Sequence, residues 1–353
     1  MSLDHSVVPG APAIPGLTFR RFRGEADYPV MVDILDACNV ADGLEYINSV
    51  EEIAHVFAHL TNCDPGRDML FAEVDGEAVA FSRVWWTEKT NPGTGPAERL
   101  YISLGFVHPG WRRRGLGAAM LNYGESRLRD LARQHPAEKR KFFRVWATNQ
   151  EHGAQALFAR AGYEPVRHYV EMVRPIAASL PTAPMPAGLE VRPVHPEQIR
   201  SIWEAMWEAR QDHWGYVPPT ENDYERWVQG RLFAPHLWQV AWAPSVADSA
   251  ENPGERAEGD EVAGMVLNRL DEEQNVKYGR KRGWTQDIFV RRPWRRRGLA
   301  RSLLVRSILM FQEMGMEETA LGVDAQNPSG VLQLYESVGY RPVRTHTFYH
   351  KRI

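Results

Sequence analysis

The sequence predicts an α/β (α+β layered) fold of two tandem domains, each a mixed sheet flanked by helices. Three observations predict it. The first is an internal repeat: VHPGWRRRGLG around Trp111 is answered by VRRPWRRRGLA around Trp294, an offset of 183 residues. The second is that two further segments match in the same order. AGYEPVRHY from Ala161 answers VGYRPVRTH from Val338, and LTFRRF from Leu17 answers LEVRPV from Leu189. The third is the alternation of strand and helix patterns inside each copy, around one strand–turn–helix–strand unit. A chain of 353 residues suits two such domains.

Each copy opens on a strand, Leu17–Phe22 or Leu189–Val194. A helical region follows, rich in aromatic residues in the second copy: Trp203, Trp207, Trp214, Tyr216, Tyr224 and Trp227. Next comes a hairpin, Leu70–Val74 with Ala78–Val84 and Leu237–Trp242 with Glu261–Leu270. In the first copy the turn is Val74-Asp75-Gly76-Glu77; the second carries the insertion Ala243–Asp260, read as an enlarged mobile loop. A fourth strand ends at Val107 or Val290, and the arginine–glycine turn feeds a long helix. Gly117, Leu121, Leu128 and Leu131 recur at helical spacing in one copy, and Ala300, Leu304, Ile308 and Phe311 in the other. A fifth strand (Phe142–Ala147; Thr319–Ala325), a short helix and closing strands complete the unit. Pro175–Gly188 holds four prolines and reads as a linker. The expected organisation is a flexible leader over 1–16, a first domain over 17–174, a linker over 175–188 and a second domain over 189–353.

Composition narrows the function. A net charge of -3 gives no global case for nucleic acid or an anionic membrane. Lys277–Gly283, KYGRKRG, reads as a solvated basic loop. Two cysteines, Cys38 and Cys63, suit a reduced cytoplasmic protein, and the scattered histidines give no support for a metal. No apolar run approaches the roughly 20 residues that span a bilayer.

The chemistry concentrates in the strand–turn–helix. A helix N-terminus offers unpaired N–H groups and a positive dipole end. Glycine lets the backbone approach an anion, and arginines add charge. Without GKS/GKT or GxGxxG, the element is a pyrophosphate cradle of another kind. Its recurrence in both copies argues against a merely solvated helix end.

Arg112-Arg113-Arg114-Gly115-Leu116-Gly117 and Arg295-Arg296-Arg297-Gly298-Leu299-Ala300 both fit the pattern Arg/Gln-x-x-Gly-x-Gly/Ala. That pattern resembles the acyl-CoA signature of the GNAT N-acetyltransferase superfamily. A second block, LGVDAQNPSGVLQLYESVGY with Asn327, Tyr335, Gly339 and Tyr340, also resembles the family. The stretch from Asp212-His213-Trp214-Gly215 onward is similar to tandem members. The resemblance covers essentially the whole chain and implies fourth and fifth strands splayed apart, with acetyl-CoA between them as acyl donor. It implies that Ile288, Phe289 and Val290 meet the pantetheine, and that the amides of Arg296 to Ala300 hold the pyrophosphate. Phe106 and Val107 are the counterparts in the first copy.

In the family a tyrosine protonates the departing thiolate, and the resemblance assigns that to Tyr335. Aligned back from the shared Gly-Tyr, Phe158 replaces it in the first copy and cannot donate a proton. Asp287 is the candidate base, with His213 a competing base or, with Trp214, an acceptor-pocket residue. The function implied is N-acetyl transfer to a primary amine of a small molecule or peptide, by a monomer or homodimer whose second copy is catalytic. Non-catalytic acyl-CoA binding and tandem-fold aminoacyl or peptidyl transfer are the alternatives.

Overall fold

A computed structural model of the chain describes residues 6–89, 97–244, 260–327 and 330–353. In chain order the first copy gives β1 (Leu17–Arg20), α1 (Tyr28–Asp42), α2 (Val50–Ala58), α3 (Pro65–Asp68), β2 (Met69–Val74) and β3 (Glu77–Lys89). It continues with β4 (Glu98–Val107), α4 (Leu116–Gln134), β5 (Arg140–Thr148), α5 (His152–Arg160) and β6 (Glu164–Pro175). The second copy gives β7 (Glu190–Val191), α6 (Ile199–Arg210), α7 (Glu221–Val228), β8 (Gln239–Ala243), β9 (Glu261–Leu270) and α8 (Glu272–Lys277). Then come β10 (Arg282–Val290), α9 (Leu299–Glu313), β11 (Glu318–Asp324), α10 (Val331–Ser337) and β12 (Arg341–Arg352).

The chain falls into two compact units, Met1–His168 with Thr220–Arg226 and Thr345–Ile353, and Tyr169–Pro219 with Trp227–Arg344. In the first, β1 to β4 are successive antiparallel neighbours, β4 pairs β5 in parallel, and β5 pairs β12 through His346–Arg352. In the second, β7 to β10 are antiparallel neighbours, β10 pairs β11 in parallel, and β11 pairs Tyr169–Pro175 of β6. Both are mixed sheets with one parallel pair. The unit that repeats in sequence is not quite the unit that packs. The tail of β6 pairs with β11 of the second unit, and the tail of β12 with β5 of the first.

Local sequence explains the edges. Asp75 (φ 51°) and Gly76 (φ 88°) make the left-handed two-residue turn that matches strand twist between β2 and β3. β7 is two residues long rather than six because Pro193 has no N–H to give the ladder. Residues 6–16, expected within a flexible leader, are packed: the Ser6 N–H donates to the Phe19 carbonyl (2.9 Å). Val8 is buried beside Leu116 and Ala119, with Ile14 and Leu17 against the same cluster. The expected linker is likewise anchored. Arg174, fully buried, donates to the carbonyls of Val338 (2.7 Å), Pro175 (2.8 Å) and Ser179 (3.2 Å), and Ile176 enters the core.

KYGRKRG is only partly a solvated loop. Arg282 is buried at the start of β10, where Glu318 (2.7 Å) and Glu171 (3.3 Å) offset its charge. Most of the expected insertion loop, 245–259, lies outside the described residues. No described helix is long and apolar enough to cross a membrane. Among the described residues no group of three His, Cys, Asp or Glu side chains could hold a metal ion.

α9 lies on the second sheet through Leu304, Ile308 and Phe311, which pack with Leu321 and Val323 of β11 and Tyr335 and Val338 beyond it. Gly283 allows the close approach: a Cβ there would overlap the Phe311 ring. In the first unit α4 packs through Leu121, Leu128 and Ala132 onto Tyr101, Phe143 and Val145.

Candidate active site

The site begins where the parallel pair ends. β10 bonds β11 over Arg282–Trp284 only, so Thr285 to Val290 diverge from β11. At the root of the split, the Thr285 hydroxyl donates to the Ala320 carbonyl (3.2 Å). With that proton spent, the Tyr340 hydroxyl donates to Thr285 Oγ1 (2.9 Å) and accepts from Thr319 (2.9 Å). Three hydroxyls thus bridge the strands where their amides part.

β10 is then bulged. The register against β9 shifts between Gln286 and Ile288, leaving Asp287 outside the ladder with φ 45°. A bulge re-aims side chains and frees backbone groups from pairing. The Asp287 carboxylate stands 3.7 Å from the Arg210 guanidinium at the end of α6. Arg210 lies over the rings of Trp207 (4.9 Å) and Phe289 (5.3 Å), and the His213 ring is 5.3 Å from that of Phe289. Burial, reinforced by Arg210, lowers the His213 pKa, so its imidazole is neutral at pH 7. Trp214 follows, half-buried. Of the other aromatic residues, Trp203 and Trp227 are packing groups: their centroids lie 5.0 Å apart, and Trp227 stacks on Trp238 at 5.2 Å.

The cradle follows β10. Arg296 (φ 62°) and Gly298 (φ 86°) are left-handed, and Gly298 caps α9. Alternation of that kind turns successive N–H groups inward and makes an anion-binding concavity at a helix start. No described atom lies within 4 Å of a Cβ built on Gly298. Arg296 and Arg297 are exposed and Leu299 is buried beneath them. This geometry fits a pyrophosphate.

Arg295 is placed otherwise than the signature suggests. Its Nε donates to the Val290 carbonyl (2.9 Å) and its Nη1 to Asp212 (2.7 Å). Arg112 does the same in the first unit, donating to the Val107 carbonyl (3.1 Å) and pairing with Asp42 (2.7 and 2.8 Å). The first arginine of each signature is therefore a brace across its own turn. Arg113 (φ 63°) and Gly115 (φ 91°) repeat the left-handed pair, and Arg114 lies over the Trp111 ring at 4.6 Å. Leu116 is buried, and a Cβ on Gly117 would touch Leu157 at 3.4 Å. Phe106, beside Val107, packs on Phe81 with ring centroids 5.4 Å apart.

Asn327 sits in the turn after β11, its N–H donating to the Asp324 carbonyl (3.1 Å). Tyr335 is 6% exposed and lies edge-on to Tyr340, centroids 6.3 Å apart. Burial, with Tyr340 beside it, raises the Tyr335 pKa, so the phenol keeps its proton at every working pH. Phe158 stands in the same relation to Tyr163, at 6.0 Å.

Sequence reasoning missed Asp42 and Arg210, and named Asp212 only as the start of a family-like stretch, without a role. The repeat held a signal for the two aspartates: Ala-Asp-Gly-Leu-Glu-Tyr from Ala41 aligns with Gln-Asp-His-Trp-Gly-Tyr from Gln211. Nothing in the sequence marks the bulge.

Comparison with known proteins agrees with this architecture. The family profile described as Acetyltransferase (GNAT) family matches residues 32–163 and 202–340. A mycothiol acetyltransferase of Geodermatophilus obscurus is 31% identical over 182 residues, 50% of this chain and 52% of that protein, so the chain spans about half its length. A mycothiol acetyltransferase of Salinispora arenicola is 24% identical over 92% of this chain and 94% of its own. The crystal structure of a GCN5-related N-acetyltransferase from Sphaerobacter thermophilus superposes with a TM-score of 0.67 at 26% identity, covering 95% of each chain.

Proposed function

The chain belongs to the GNAT acetyltransferase family, and from that premise we propose that its second copy transfers an acetyl group from acetyl-CoA to a primary amine of a small molecule. The observation that carries this assignment is the pairing of an open left-handed cradle at Gly298 with a bulged, splayed β10 in one unit. When bound, acetyl-CoA supplies the thioester carbon that the amine attacks and the thiol that departs. The amides of Arg296 to Ala300 receive the pyrophosphate. The β10 backbone past the bulge supplies N–H donors for the thioester carbonyl. Tyr335, protonated through burial, gives its proton to the leaving sulfur, and Asp287 takes the proton of the attacking amine. A neutral His213 beside Phe289 favours a second reading, in which the imidazole is the base. The relatives named mycothiol acetyltransferase make the deacetylated form of mycothiol the first acceptor to assay.

Titration calorimetry with acetyl-CoA tests the assignment. Gly298→Glu places a carboxylate and a Cβ where φ is left-handed, so affinity should fall by about a hundredfold or more. Retention of wild-type affinity in that variant, or no binding by the wild type, would overturn the reading. Gly115→Glu in the same assay reports whether the first copy is also loaded.

A further inference from the structure

Asp212 occupies an electrostatically awkward place. It lies two residues beyond the last residue of α6, where the partial negative end of a helix repels a carboxylate. Two arginines of the cradle turn compensate. Arg292 grips it through Nε (3.2 Å) and Nη2, and Arg295 through Nη1 (2.7 Å). The Arg292 guanidinium, and after it that of Arg295, hold the Asp212 carboxyl down at about 2, so the clamp stays charged at working pH. In the first unit Asp42, the last residue of α1, pairs with Arg112 as its one cation among the described residues, and Pro109 stands where Arg292 does.

The consequence follows from what Arg295 can no longer do. With Nε on Val290 and Nη1 on Asp212, its guanidinium closes the turn from the end of β10 to the start of α9. That turn carries the left-handed residues Arg296 and Gly298. Two residues close to Asp212 in the chain are also engaged: Arg210, two before it, reaches Asp287, and His213, the next residue, meets Phe289.

We propose that Asp212 is the positioning residue of the acyl-donor site, holding Arg292 and Arg295 so that the turn's amides, and not those arginines, receive the pyrophosphate. It also fixes Arg210 and His213 beside the reacting end of β10. This inference rests on the acyl-CoA reading and adds a residue which that reading does not require.

Calorimetry with CoA and with pantetheine, which lacks the pyrophosphate, tests it on the full chain. In Asp212→Asn, CoA should bind roughly tenfold more weakly, about the weight of one charge-assisted hydrogen bond, while pantetheine stays within about twofold. Arg292→Gln, at an exposed position, should give a smaller loss of the same kind and serves if Asp212→Asn fails to fold. Asp212→Glu should recover part of the affinity. Glu208→Gln removes the neighbouring pair to Arg291 and should leave CoA binding unchanged. Equal weakening of CoA and pantetheine would reduce Asp212 to a structural residue. Unchanged or tighter CoA binding would mean that the released arginines serve the phosphate as well as the clamped ones, and the proposal fails. Absence of CoA binding by the wild type removes the acyl-CoA reading itself, which the variants alone cannot do.

Discussion

The two copies build the same cradle and differ in everything that would use it. Both place two left-handed residues before the long helix and brace the turn with an arginine on a helix-end aspartate. In the first unit, however, Pro12 lies over the cradle, 3.3 Å from where a Cβ on Gly115 would be, whereas Gly298 is open. β4 runs against β3 in unbroken register from Glu98 to Val107, with Leu104 where the second copy has Asp287. Phe158 stands where the second copy has Tyr335. The left-handed turn is thus a local property of a few residues. On the proposed function, acyl transfer draws on that turn, the bulge and a proton donor together.

The largest effect should come from making the second copy resemble the first. Tyr335→Phe removes one hydroxyl from a buried ring and should lower kcat by about 10²–10⁴, leaving acetyl-CoA affinity within a factor of about two. The reciprocal change, Phe158→Tyr, should restore nothing when added to Tyr335→Phe, because β4 has no bulge and Pro12 covers the cradle. Steady-state kinetics with an amine that the wild type acetylates decides both. Activity in the double variant would show that the two units are closer to equivalent than their strands suggest.

The base is the next contrast. Asp287→Asn keeps the size of the side chain and should lower kcat by roughly 10²-fold, the usual weight of one acid–base group. If His213 carries the proton instead, His213→Gln shows that loss and Asp287→Asn does not. The pH profile gives the sign. A histidine whose pKa is lowered by burial is a working base above that pKa, so the rate falls only as pH drops below the ordinary histidine range. That acid limb should vanish in His213→Gln and persist in Asp287→Asn.

Much of this was legible in the sequence, for identifiable reasons. Glycine before a helix and Asp-Gly between strands act through the backbone of a few residues, so the cradle and the β2–β3 turn could be read directly. The bulge at Asp287 could not, because a non-glycine residue at φ 45° is imposed by the surrounding sheet. The role of Arg295 was equally hidden. Its partner Asp212 is 83 residues away, and an arginine bound to a carboxylate looks, in sequence, like one awaiting a phosphate. Residues 1–16 read as a flexible leader, and Pro175–Gly188 as a linker because its prolines and small residues deny it helix and strand. Val8 and Ile176 anchor them by burial, which composition does not report. The closing strands were found, but which sheet each tail joins is a property of tertiary packing.

The smallest effect concerns stability and separates the two helix–sheet contacts. The first copy carries Leu128 at the repeat position of Phe311, and the larger ring fits only because β10 has Gly283 beneath it. Gly283→Ala should therefore destabilise the second unit by about 1–3 kcal/mol through overpacking, read as a lowered denaturant midpoint with unchanged slope. Pairing it with Phe311→Leu removes the clash and should recover part of the loss. The recovery is incomplete, because the smaller side chain also gives up buried apolar area. Additive losses in the pair would instead show that the helix had already moved off the strand, and that Gly283 serves the strand backbone rather than the ring. Since β10 carries Asp287 four residues further on, the same variants report how firmly the floor of the site is held. A Gly283→Ala protein that kept full activity while losing stability would place the bulge under the control of its pairing with β9, independent of the packing of α9.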